Sequence, residues 1–379
     1  MDIKDNLVRL YIRRFVIPKA LILDKPGFVD FKISGKTNVF ARQVLVPEGF
    51  FIQLEKDIIE EYGDAGRSAI YSIGKKFGYS FSQLGRFENI KDHPGNGIKD
   101  WIIIASKFVE GTYASEIRQE IDLSSKTVNY TLKNFVICRK LGYDFFLATG
   151  GAAGVIAWLL QDKTIEGYYS NSKVVDNKYI CNVTCSTFDN LKSSKDKVFR
   201  ETNLDGLQQE VKQYNLFNQE VKVRYDKSFS SYLDAKIFNY EGGIIKLRSG
   251  NERFFLMEAS GLYLLELGLK ENGMDGKIFS IAYSIGQNLF EGLGNDAKST
   301  VELMTALGWG EVILIPAPMN KIQIVINHFP WTKWYKDIDF LIIRGLLGGI
   351  FSKIYKREVK LNKPQADMHN NHLALIFEE

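Results

Sequence analysis

Three cysteines (Cys138, Cys181 and Cys185) and four histidines limit the metal and redox chemistry open to this 379-residue chain. A metal site needs clustered ligands. Cys181 and Cys185 lie four apart; in a strand they share a face at a separation poorly suited to chelation, so they read as two small buried residues. His369 and His372 have chelating spacing for a helix. A strand pattern follows them and no cysteine accompanies them, so they read as a solvated turn. His93 sits in a polar loop and His328 stands just ahead of Pro330, poor places for a haem axial ligand. No metal, cofactor or catalytic residue is expected.

Phosphate and acyl chemistry fare no better. No segment fits G-x-x-x-x-G-K-S/T, G-x-S-x-G or H-E-x-x-H, and the glycines at 150–154 lack the G-x-G-x-x-G spacing. Asp144 and Asp339 draw notice because each precedes a glycine-rich apolar segment. A carboxylate there can cap helix amides, and that reading is preferred over catalysis. Phe329-Pro330-Trp331-Thr332-Lys333-Trp334-Tyr335 is an aromatic cluster in an expected loop, which marks a contact surface or a pocket wall.

The elements that must position these residues occur twice. Tyr71-Ser72-Ile73-Gly74 returns as Tyr283-Ser284-Ile285-Gly286, and Gly49-Phe50-Phe51 returns as Gly261-Leu262-Tyr263, both at an offset of 212. Farther on, Glu116 matches Glu311, Lys126 matches Lys321, Asp144-Phe145 matches Asp339-Phe340, Gly150 matches Gly345 and Gly154 matches Gly349, all at 195. An insertion in the polar stretch Phe87 to Lys99 of the first copy reconciles the offsets. The chain therefore divides into 1–185, a charged linker at 186–225 with a possible helix at 205–217, and a divergent second copy at 226–379.

In order, Leu7, Leu10, Tyr11 and Phe15 give helical spacing over 5–17. Alternation around Val29, Phe31 and Ile33 predicts a strand, a turn at 35–38 and a strand to Val46. Helices follow at about 47–62 and 66–84, with Ile70, Ile73, Phe77 and Phe81 on one buried face. Then come an apolar segment at 101–109, strands at 113–121 and 128–138, the glycine helix, and a closing strand at 179–183. The second copy repeats this, closing at 372–377. Gly74 and Gly78, like Gly150 and Gly154, sit four apart where Gly is costly by roughly 1 kcal/mol against Ala. Close approach of another helix explains Gly74 and Gly78, with room for a ligand as the alternative; Gly150 and Gly154 suggest a helix packed against its counterpart in the other copy. The second copy keeps Gly286 but has Phe290 where Gly78 would fall.

Composition bounds the class. Hydrophobic residues make up 45% and charged residues 25%, as in ordinary globular chains. Forty-nine basic against 45 acidic residues give +4, too even to imply nucleic acid or an anionic membrane surface. The longest uncharged apolar run, Phe145 to Leu160, is short of the roughly 20 residues of a bilayer span. With no apolar leader and few cysteines, a cytoplasmic protein is expected.

The order of elements, with Tyr71, Gly74 and Gly78 on one helix, Gly150 and Gly154 on the next and Cys181 in the last strand, resembles the 4-vinyl reductase type domain. That small-molecule-binding domain is similar in fold to the vesicle-tethering subunits called TRAPP. The resemblance covers residues 39–185 and, more weakly, 253–377. It implies an α+β fold, with an antiparallel sheet covered by helices on one face, and two copies forming an internal pseudo-dimer. It also implies non-enzymatic binding of a small hydrophobic ligand, with Tyr71, Gly74, Phe77, Gly78, Phe81, Asp144, Phe146 and Trp158 as candidate lining. The alternative is a ligand-free scaffold like the tethering subunits, with Trp331, Trp334 and Tyr335 at a protein contact. The family's cysteine cluster for zinc is matched here only by Cys181.

Overall fold

The structure, a computed structural model, describes residues 3–32, 40–85, 87–138, 145–191, 202–205, 221–241, 243–250, 252–289, 296–330, 337–369 and 372–379. The expected turn at 35–38, the linker helix at 205–217 and Phe290 lie outside them, wholly or in the main.

The chain is α+β, with antiparallel sheets and helices. Helix α1 (Ile3–Tyr11) runs through a π-turn (Ile12–Val16) into α2 (Ile17–Ala20). Strands β1 (Leu21–Lys25), β2 (Phe28–Lys32) and β3 (Phe40–Pro47) follow. The alternation in β2 predicts Asp30 on an open face, yet it is 2% exposed, because both faces of this sheet are covered. Helix α3 (Glu48–Leu84) turns at Gly63, whose φ of +57° suits only glycine well, so its two legs match the two expected helices. Next are α4 (Gly97–Tyr113), β4 (Glu116–Asp122), β5 (Thr127–Lys133), α5 (Phe146–Leu160), β6 (Ile165–Val175) and β7 (Lys178–Thr187). Strand β5 ends five residues earlier than its apolar content suggests, and β6 is an addition to the expected order.

The second half runs α6 (Phe229–Asp234), β8 (Phe238–Glu241), β9 (Ile244–Leu247), β10 (Arg253–Glu258), α7 (Ala259–Glu271), α8 (Gly276–Asn288), α9 (Ala297–Met304), β11 (Glu311–Ala317), β12 (Lys321–Phe329), α10 (Leu341–Tyr355), β13 (Gln365–His369) and β14 (His372–Glu378). His369 and His372 therefore pair across a β-hairpin. The linker's end packs on the second half, where the Tyr225 hydroxyl donates to the Val312 carbonyl at 2.8 Å.

Two four-stranded sheets share one order, β4-β5-β7-β6 and β11-β12-β14-β13. A six-stranded sheet, β1-β2-β3-β10-β9-β8, draws three strands from each half. Its centre is β3 antiparallel to β10, with Leu45 opposite Leu256 and Val44 opposite Met257.

Contacts across this seam come in reciprocal sets. Gly27, in the β1–β2 turn, sits against Gly310, while Gly243, in the β8–β9 turn, sits against the Glu110 and Ala114 carbonyls. Arg42 of β3 donates to the carbonyls of Gly308 and His328 at 3.2 and 3.3 Å. Arg253 of β10 donates to the Asn134 carbonyl at 3.0 Å and pairs with Glu48 at 3.2 Å. Gly49 meets Ile285, and Gly261 and Gly268 meet Phe77 and Ile73, so the first leg of each half's helix pair packs on the second leg of the other's.

Within each half, glycines bring two helix backbones together. A Cβ at Gly74 or Gly78 would fall 2.2 or 2.1 Å from the carbonyl oxygens of Leu147 and Gly151 on α5. A Cβ at Gly150 or Gly154 would strike those of Tyr71 and Lys75 at 2.1 and 2.2 Å. Gly286, Gly345 and Gly349 do the same between α8 and α10. The glycine helices thus pack on a helix of their own half, where the spacing alone suggested the opposite copy.

Gly78→Ala should lower unfolding stability by about 2–3 kcal/mol in urea titration, because the clash is with backbone. Gly276→Ala, where a Cβ meets nothing within 4 Å, should be neutral or stabilising.

Candidate functional site

One buried cluster of reactive side chains centres on Tyr71 and Lys75, one turn apart on the second leg of α3. Both face β6, and Glu166 reaches them from that strand. Lys75 Nζ donates to Glu166 Oε1 at 2.5 Å and to the Lys163 carbonyl at 3.1 Å. The Tyr71 hydroxyl donates to Glu166 Oε2 at 2.5 Å and accepts from the Gly167 amide at 2.7 Å. All three side chains are fully buried. Burial, then the Glu166 charge, pushes the Tyr71 hydroxyl well above its ordinary value. Behind them, burial raises the Cys185 thiol to about 12. Lysine and glutamate survive here only because each satisfies the other. The arrangement fastens β6 to α3 and commits these acid–base groups to internal bonds.

A second cluster joins Cys138, after β5, with Cys181 of β7. The Cys181 thiol donates to the Cys138 carbonyl at 3.6 Å, and both thiols are free and buried. The hydrogen bond with Cys138 draws the Cys181 thiol below its ordinary value, whereas burial raises that of Cys138. Chain spacing singles out Cys185 as the neighbour of Cys181; the fold supplies Cys138 instead. Among the described residues no group of three or more His, Cys, Asp or Glu is placed to hold a metal ion.

The candidate lining residues divide. Gly74 and Gly78 are covered by α5, and the Tyr71 hydroxyl belongs to the polar cluster. Phe77, Phe81 and Phe87 form a chain of rings at 5.8 and 5.7 Å, and Trp158 Nε1 donates to the Phe87 carbonyl at 2.9 Å. Phe77 and Phe81 thus meet in one half-buried group, while the Trp158 ring packs on Tyr79 at 5.6 Å. Phe146 is buried at the start of α5, and Asp144 lies outside the described residues, as do Trp331, Trp334 and Tyr335. Phe329, which opens the aromatic stretch, is buried against Trp309 and Phe340.

The residues at the N-cap of the glycine helices are phenylalanines. Phe145 and Phe340 hold the position before each helix, at φ of +46° and +54°. Asp339 pairs with Lys363 and, at 3.9 Å, Lys270; the hydrogen bond from Lys363 lowers its carboxyl. The helix amides are met from another helix. Glu55 of α3 accepts from Leu147 N at 2.7 Å, and Glu266 of α7 accepts from Leu341 N and Ile342 N, both at 2.9 Å. Burial raises Glu266 to about 7 against these bonds. A signal for Glu266 exists in the sequence: one acid within the apolar run Leu262 to Leu269.

Models of known protein families find no match in this chain, and no curated protein matches it significantly. Among the described residues no helix is long and apolar enough to cross a membrane.

Lys75→Met should strand the Glu166 carboxylate and destabilise the fold by about 3–5 kcal/mol. Lys75→Met/Glu166→Gln should recover part of that loss, so a double-mutant cycle read by urea unfolding will show coupling. Additive effects would mean that the pair is not a unit.

Proposed function

We propose that the two halves form an internal pseudo-dimer of like domains that works as an assembly scaffold, through its surfaces. The observation that carries this reading is the reciprocity of the seam. The sheet order, with β1-β2-β3 of one half facing β10-β9-β8 of the other, the hairpin turns at Gly27 and Gly243 set against the opposite half, and the bonds of Arg42 and Arg253 to carbonyls of the opposite half mirror one another across the seam. Such self-complementary pairing is the property of a two-fold interface between equal units, here joined in one chain. The polar clusters beneath the sheets support the same reading, because Tyr71, Lys75 and Glu166 bond one another.

A second reading, binding of a small hydrophobic ligand, is favoured by the half-buried group Phe77, Phe81 and Phe87. Apolar walls with few polar anchors suit such ligands. Native mass spectrometry of the purified full chain, with a denatured control, separates the two. The scaffold reading expects the same mass in both conditions and no gain on adding medium-chain fatty acids. Extra mass lost on denaturation, and diminished in Phe81→Ser, would replace it with the ligand reading.

A further inference from the structure

Helix α1 and the π-turn that continues it are fastened by their polar face, and their apolar face looks outward. Arg9 Nε donates to Glu110 Oε1 at 2.6 Å, and Arg13 Nη2 lies 3.1 Å from the same oxygen. Arg13 also donates to the Ser115 carbonyl at 2.6 Å. Glu110 is fully buried at the end of α4, and Lys107 Nζ approaches its other oxygen at 3.3 Å. A buried carboxylate in that position draws the arginines inward. Ile12 and Ile17 dock beside them, Ile17 directly over Gly111.

The opposite face carries Leu7, Leu10, Tyr11 and Phe15, 50–61% exposed, at helical steps of three and four. A surface helix ordinarily turns such a stripe toward the core. Local charge departs from the overall balance. From Asn6 to Leu23 the chain has Arg9, Arg13, Arg14 and Lys19 and no acid. Arg9 and Arg13 serve Glu110, whereas Arg14 and Lys19 are exposed beside the stripe, the Arg14 guanidinium 6.0 Å from the Phe15 ring centre.

We infer that α1, with the π-turn that continues it, docks the protein on an anionic lipid bilayer. The helix lies in the plane of the surface, with Leu7, Leu10, Tyr11 and Phe15 at the headgroup–acyl boundary and Arg14 and Lys19 on acidic headgroups. Area argues for this occupant over a second copy. Four half-exposed side chains offer on the order of 400 Å2, about half of what each side of a stable interface contributes. The exposed cations Arg14 and Lys19, with no acid from Asn6 to Leu23, also repel a second copy and suit an acidic surface. The inference is independent of the scaffold reading, since it concerns a face outside the seam.

The test is flotation of the full chain with phosphatidylcholine vesicles, with and without phosphatidylserine at one part in four. Binding is expected only with phosphatidylserine and should fall as salt rises. Leu7→Gln/Phe15→Gln should abolish it, and Arg14→Gln should weaken it about fivefold. All variants should melt as the parent does, because the altered side chains are exposed. Failure to float on the anionic vesicles, or flotation unchanged in Leu7→Gln/Phe15→Gln, would overturn the inference. So would a dimer in sedimentation equilibrium that the same double variant dissolves, which would assign the stripe to a second copy.

Discussion

The pairing of β3 with β10 is the constraint on which the rest of the architecture depends. Every residue of β10, and of β3 beyond Phe40, is buried, so neither strand presents a wet face. Separated, each half would expose a long apolar edge strand with unpaired amides, an unstable and aggregation-prone surface. Joined, the strands satisfy each other's backbone groups in a dry interior, where an unmade hydrogen bond costs about 1–3 kcal/mol. The six-stranded sheet then fixes where each half's helix pair begins. Helix α3 starts directly at the end of β3, and α7 directly at the end of β10.

From that seam the packing follows outward. The helix pairs cross the seam through Gly49, Gly261 and Gly268. They turn their other faces to α5 and α10, where glycines admit backbone to backbone. Close packing of this kind leaves little tolerance for added volume. It also decides between the two meanings open to Gly74 and Gly78 in the sequence, since the space beside them holds the α5 backbone. Buried acids then serve as fasteners: Glu166 for β6, Glu110 for α1, and Glu55 and Glu266 for the starts of the glycine helices.

Much of this was legible. The repeated Tyr-Ser-Ile-Gly and the glycine spacing located equivalent helices, and Pro47 marked the start of α3 and Gly63 the turn between its two legs. What stayed hidden depends on long-range contacts. Strands β6 and β13 escaped because their stretches, such as Tyr168 to Lys173, are polar and lack alternation. Lys75 carries no signal of its own in the sequence, and only Glu166, 91 positions later, makes its burial tolerable. The outward stripe of α1 reversed the ordinary expectation because Glu110, 101 positions from Arg9, holds the arginines inward. Cys138 and Cys181 meet because β5 ends at Lys133 and the chain turns back, a register that no spacing rule supplies.

Native-state hydrogen exchange of the intact chain across a urea series, read by mass spectrometry, tests the shared seam most directly. The proposed pseudo-dimer predicts that peptides from β3, β10, α5 and α10 open together, with one free energy and one urea dependence. Opening of β3 and α5 at lower urea, with β10 and α10 still protected, would contradict it and show two domains that fold independently.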